Sequence, residues 1–100
     1  LFLVDLRREA LEKTVALIKS DGLDAQVELY AGSVADEAVV KGMVDRCVEV
    51  FGRIDIACNN AGVSSAAART HEATIADFDF TCSVNERGVS HYLLFTIGAT

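Results

Sequence analysis

At 100 residues the chain has room for one compact domain and not for two. Its apolar share of 51% and mean hydropathy of +0.30 exclude disorder and suit strands covered on both faces. A net charge of −6, with basic residues scattered apart from Arg7 and Arg8, argues against a nucleic-acid partner, and no apolar run approaches the roughly 18 residues of a membrane span.

Leu1 to Val4 is a short continuous apolar run, expected to be a buried strand that ends at Asp5. Charge follows it at once at Asp5, Arg7 and Arg8, so it does not read as a secretion signal. Arg8 to Ser20 carries Leu11, Val15 and Ile18 at helical spacing and stops at Asp21-Gly22. Ala25 to Ala31 alternates in part (Val27, Leu29) and reads as a second strand, broken by Gly32-Ser33. Asp36 and Glu37 open a helix where its dipole favours negative charge. Its apolar stripe runs through Val39, Val40, Met43, Val44, Cys47, Val48 and Phe51, and Gly52 stands where a left-handed residue ends it.

Ile54 to Asn59 is expected to be a third strand. Val63 to Ala73 lacks periodicity and reads as a loop, with a helical turn conceivable over Ala66-Ala67-Ala68. Thr74-Ile75-Ala76-Asp77 approximates a capping box and opens a last, largely apolar helix through Phe78, Cys82, Val84, Val89, Leu93 and Leu94. The order β-α-β-α-β-α implies an α/β fold: βαβ units with a parallel sheet and right-handed crossovers. The first residues already lie in a strand-like run and the last in a helical pattern, so the chain is expected to be a piece of a longer protein.

Cys47, Cys58 and Cys82 are odd in number and widely spaced, which suits neither a disulfide framework nor a metal motif. Each lies in an apolar stretch, so they are expected to be small buried hydrophobes in a reducing, cytoplasmic setting. His71 and His91 show no metal or triad spacing and read as surface or loop residues.

Three strand ends then share one rim of the sheet, and ligands of parallel sheets bind outside the carboxyl ends of strands. Asp5 is there either to accept the hydroxyls of a ribose or to cap the next helix. Ser33-Val34 offers an adenine contact or another helix cap. Asn59-Asn60-Ala61-Gly62 is a ligand-facing wall of small residues or an ordinary turn. A nucleotide is the ligand class that suits the three together.

The run Phe51-Gly52-Arg53-Ile54-Asp55 into Asn59-Asn60-Ala61-Gly62, followed by Val84-Asn85-Glu86-Arg87-Gly88, resembles the FGRID…NNAG…VNxxG series of the short-chain dehydrogenase/reductase family. The resemblance covers essentially the whole chain. It implies a partial Rossmann-like three-layer (αβα) sandwich lacking the first strand and the C-terminal half, so that residues 1–100 form an incomplete NAD(P)-binding domain. By the same resemblance Asp5 binds the adenosine ribose and favours NAD over NADP, although Arg7 and Arg8 keep NADP open. Asn60, Ala61 and Gly62 lie against the adenosine side of the cofactor. Asn85 is the helix-borne active-site Asn, which kinks its helix and holds a water linking a catalytic Lys to solvent. Where the family commonly has Asp-Val on adenine, this chain has Ser33-Val34; a hydroxyl can accept a hydrogen bond there without charge.

The parent protein would then be an oxidoreductase moving hydride between NAD(H) and a small carbonyl or alcohol substrate. It would be a homo-oligomer through its last helix. The family's Gly-rich phosphate loop and its Ser and Tyr-xxx-Lys are absent from these residues: the tyrosines are Tyr30, in a strand, and Tyr92, with Thr96 four residues on. The 100 residues alone are therefore expected to be inactive, and turnover of NADH by them would refute this. Another reading is a non-catalytic homologue that binds nucleotide or protein. In the order 3-2-1-4-5-6 the missing strand leaves a slot roughly 10 Å wide, which predicts marginal stability in isolation.

Overall fold

The computed structural model describes residues 1–65 and 68–99. In chain order it has β1 (Phe2–Asp5), α1 (Arg8–Ser20), β2 (Glu28–Ala31), α2 (Glu37–Phe51), α3 (Ile75–Cys82), a π-helical turn over Ser83–Arg87, and α4 (Gly88–Ala99). The expected α/β class holds. β1 and β2 pair in parallel, with Phe2 opposite Glu28 and Asp5 opposite Ala31.

Strand side chains alternate between faces. Phe2, Val4 and Tyr30 pack toward α2, whose Val40, Met43 and Val44 are buried. Leu3 and Leu29 are left for the opposite face, the side of α1, which contacts both strands and buries Leu11. α4 in turn lies against α2, bringing Tyr92 and Phe95 onto the same cluster. Arg46 of α2 reaches Glu28 at the start of β2 at 2.9 Å and Glu49 at 2.8 Å, tying helix to strand. Hydrogen bonds to Glu49 and to Glu28, with the charge of both acids, hold the Arg46 guanidinium above its ordinary pKa.

Several ends follow the local chemistry. Gly52 takes φ 78° and its N–H bonds the Val48 carbonyl, ending α2 as expected. Thr74 Oγ1 accepts from the Asp77 N–H at 3.1 Å, and Asp77 accepts in return from the Thr74 N–H at 3.3 Å, completing the capping box of α3. The Thr74 hydroxyl, which donates to Asp77 Oδ2, and after it the Thr74 N–H keep the Asp77 carboxyl below its ordinary pKa.

Other expectations are corrected. Ile54 to Asn59 is not a strand. A ladder needs a neighbour to exchange N–H and C=O groups with, and none lies beside this segment among the described residues. Ile54 is anchored on the α2 cluster, but Ile56 is 91% exposed and Asn60 N–H turns back onto the Cys58 carbonyl. β2 begins at Glu28 rather than Ala25, because its ladder with β1 starts where Glu28 stands opposite Phe2. The last helix is two α-helical segments, α3 and α4, joined by the π-turn rather than one uninterrupted α-helix. Val63 to Ala73 forms no helix where described, and the conceivable turn at Ala66-Ala67-Ala68 falls on residues 66 and 67, outside the described ones.

Candidate functional site

Asp5 ends β1 with its side chain exposed at the rim. It does not cap α1: the N-cap is Arg7, and Asp5 Oδ1 accepts from the Arg7 N–H at 2.9 Å in a local turn. The second carboxylate oxygen has no protein partner among the described residues. The next strand end is held beside it, because Gly32 N–H bonds the Asp5 carbonyl at 3.0 Å.

Ser33 is not a helix cap either. Asp36 fills that role, its Oδ1 accepting from Ala38 N–H at 2.9 Å and Val39 N–H at 3.3 Å. Ser33 Oγ accepts from Ala35 N–H at 3.3 Å and its carbonyl from Asp36 N–H at 3.2 Å. Val34, which follows, is covered from above by α4. A Cβ on buried Gly88 would lie 2.8 Å from Val34 Cγ2, and His91 Nδ1 stands 3.4 Å from the Val34 carbonyl. His91 is thus half-buried against the rim rather than a surface residue.

Asn59 to Gly62 is irregular and exposed. Asn59 and Ala61 border a small hollow with Val34, Met43, Val84 and Tyr92. Tyr92 packs as expected on its helix face, and burial there raises its hydroxyl pKa, with the neighbouring Cys47 adding to the rise. Gly62 takes no left-handed backbone, and among the described residues a side chain there would meet Asn85 Oδ1 at 3.6 Å and the Asn60 carbonyl at 3.9 Å, both ordinary contacts. Its small size keeps the rim open instead of serving a turn.

Asn85 sits in the middle of the π-turn. Its Oδ1 accepts from Val63 N–H at 2.8 Å and its Nδ2 donates to the Val63 carbonyl at 2.8 Å, so one carboxamide satisfies both backbone groups of one residue. π-turns insert an extra residue and re-aim the side chains around them. The structure therefore brings Asp5 together with Ser33, Val34 with Ala61 around the hollow, and Gly62-Val63 with Asn85. No hydrogen bond joins Asp5 to residues 59–62 among the described residues.

Gly88 stands in the VNxxG series three residues after Asn85, but that spacing does not show its close approach to Val34, and nothing in the sequence marks His91. The cysteines divide. Cys47 and Cys82 are half-buried, and burial raises the Cys47 thiol pKa. Cys58 is exposed, against expectation, because its segment has no covering strand. Among the described residues no His, Cys, Asp and Glu cluster could hold a metal, and no helix is long and apolar enough to cross a membrane.

The sequence matches the family model described as enoyl-(acyl carrier protein) reductase over residues 1–94. Levodione reductase of Leifsonia aquatica is 42% identical over 89 residues, which cover 89% of this chain and 33% of that protein. The crystal structure of levodione reductase superposes with a TM-score of 0.90 at 37% identity, covering 98% of this chain and 38% of the other. A structure of NAD+-bound xylitol dehydrogenase superposes at 0.86 with 36% identity, covering 95% and 36%. The chain thus spans about a third of the length of the curated relatives it matches. With its partial Rossmann-type α/β fold and the FGRID…NNAG…VNxxG series in place, the chain belongs to the short-chain dehydrogenase/reductase family.

Proposed function

We propose that residues 1–100 are the adenosine-side part of an NAD(H)-binding domain in an oxidoreductase acting on a small carbonyl or alcohol substrate. The observation that carries this is the two-way bond between Asn85 and Val63, which ties the end of the exposed Asn59–Gly62 segment to the π-turn. The residues fit the cofactor: Asp5 keeps a carboxylate oxygen for ribose hydroxyls, and Gly62 leaves its surroundings unfilled. Ser33 and Val34 would take the base, and Asn60, Ala61 and Gly62 would wall the adenosine. Asn85 would order this wall next to the reacting centre. When bound, the nicotinamide supplies the hydride acceptor or donor.

The carboxylate of Asp5 would repel a 2′-phosphate, which supports NAD over NADP. Exposure of Ile75 (77%), Phe78 (65%) and Leu94 (72%) supports a homo-oligomer, since such surface is normally covered. A cytoplasmic location fits the unpaired cysteines.

Calorimetric titration of the protein, as its own gene encodes it, with NAD and NADP tests the reading. NAD binds more tightly, and Asp5→Asn narrows the gap by about tenfold. Failure of both dinucleotides to bind would overturn the assignment.

A further inference from the structure

One turn of α4, from Gly88 to His91, meets the rim at Val34. Gly88 closes on the Val34 side chain, and His91 Nδ1 stands 3.4 Å from the Val34 carbonyl. A carbonyl oxygen accepts and never donates, so this contact selects ring forms that carry a proton on Nδ1. That carbonyl belongs to the Val34–Ala35 peptide, which is trans, so its C=O and N–H point to opposite sides of one rigid plane. On the other side the Ala35 N–H donates to Ser33 Oγ at 3.3 Å. One peptide plane thus links the His91 ring to the Ser33 hydroxyl.

The same plane is the central peptide of a turn, closed by the Asp36 N–H on the Ser33 carbonyl at 3.2 Å. Such a turn keeps its closing bond while the central peptide tilts. A full flip would need a positive φ at Ala35, which a residue with a Cβ resists, so tilt is the freedom left to fix. From this relay we infer that His91 is a positioning residue of the rim: by holding the Val34 carbonyl it sets the tilt of the peptide and, through the Ala35 N–H, where Ser33 Oγ stands toward a bound dinucleotide. The inference rests on the adenosine reading of this rim and deepens it.

The test combines calorimetric titration of the protein, as its own gene encodes it, with NAD and hydrogen exchange at the Ala35 amide. His91→Leu, which keeps apolar bulk without a donor, weakens NAD about fivefold and speeds exchange at Ala35. His91→Asn restores both to within about twofold of wild type, because Asn Nδ2 stands as many bonds from Cβ as His Nδ1 does. In a Ser33→Ala background His91→Leu causes no further loss of affinity, whereas a role in helix packing alone would add its own loss. His91→Ala replaces His91→Leu if the latter does not fold. An unmoved Ala35 amide, an unchanged affinity, no rescue by His91→Asn or losses that add in the double variant would each overturn the inference and leave the dinucleotide site standing. Wild-type protein that binds no NAD would overturn the dinucleotide reading and, with it, this role of His91.

Discussion

Gly88 on α4 is pressed against Val34 so closely that a Cβ would fall 2.8 Å from Val34 Cγ2, 3.2 Å from Val34 Cβ and 3.3 Å from its carbonyl oxygen. Two of these atoms belong to the start of a β-branched side chain and the third to backbone, so none can swing aside. Glycine is needed here for proximity, its backbone being ordinary right-handed helix at φ −58°.

Gly88→Ala therefore pushes α4 from the rim and costs about 1–3 kcal/mol, as overpacking does. Urea unfolding followed by circular dichroism checks this. An unchanged midpoint would mean that the two segments are not in contact.

Asn85→Ala removes both bonds to the Val63 peptide groups. Because the site is solvent-exposed, water replaces them in part, and the loss is about 1 kcal/mol. The sharper readout is local: the Val63 amide loses its protection from hydrogen exchange, whereas amides within α2 keep theirs. Equal exchange at Val63 in both proteins would rule out the clamp.

The Thr74–Asp77 capping box gives α3 an acid-sensitive start. Its hydrogen bonds lower the folded-state pKa of Asp77 below the ordinary 3.8. A depressed carboxyl contributes stability that is present above the unfolded pKa and is lost as pH falls through the folded one. Helicity in α3 thus declines below about pH 4, whereas Asp77→Asn, already without the charge, shows a flatter acid limb. Circular dichroism titrations of the two proteins that superimpose would contradict this.

Thiol labelling separates the cysteines. Cys58 is exposed and alkylates first, whereas Cys47 is half-buried with a raised pKa and so less thiolate. Mass spectrometry of partially labelled protein reads the order. Labelling of Cys47 ahead of Cys58 would contradict the exposure of Cys58 and the cover over Cys47.

Much of this fold is written locally. The apolar stripe of α2, the left-handed Gly52 and the Thr74–Asp77 box depend on residues within a turn of one another, and all three are where their spacing puts them. The segment from Ile54 to Asn59 carries equally good strand residues, but a strand is completed by a neighbour that no local pattern supplies. Cys58 followed the same error from buried to exposed. At the candidate site the rim positions of Asp5, Ser33 and Asn59–Gly62 were legible from the strand ends. The partner of Asn85, 22 residues away, and the close approach of Gly88 to Val34 were not, because both arise where separate segments meet.

The π-turn over Ser83–Arg87 also sets the phase between the helices on either side of it. Each residue of an α-helix advances about 100° around its axis, so one extra residue rotates everything downstream by that amount. Tyr92, Phe95 and Gly88 point where they do because of this rotation. Deleting one residue from the turn would preserve the helix and every composition-based signal in it, yet turn α4 like a misaligned key and face Val34 and α2 with a different set of side chains.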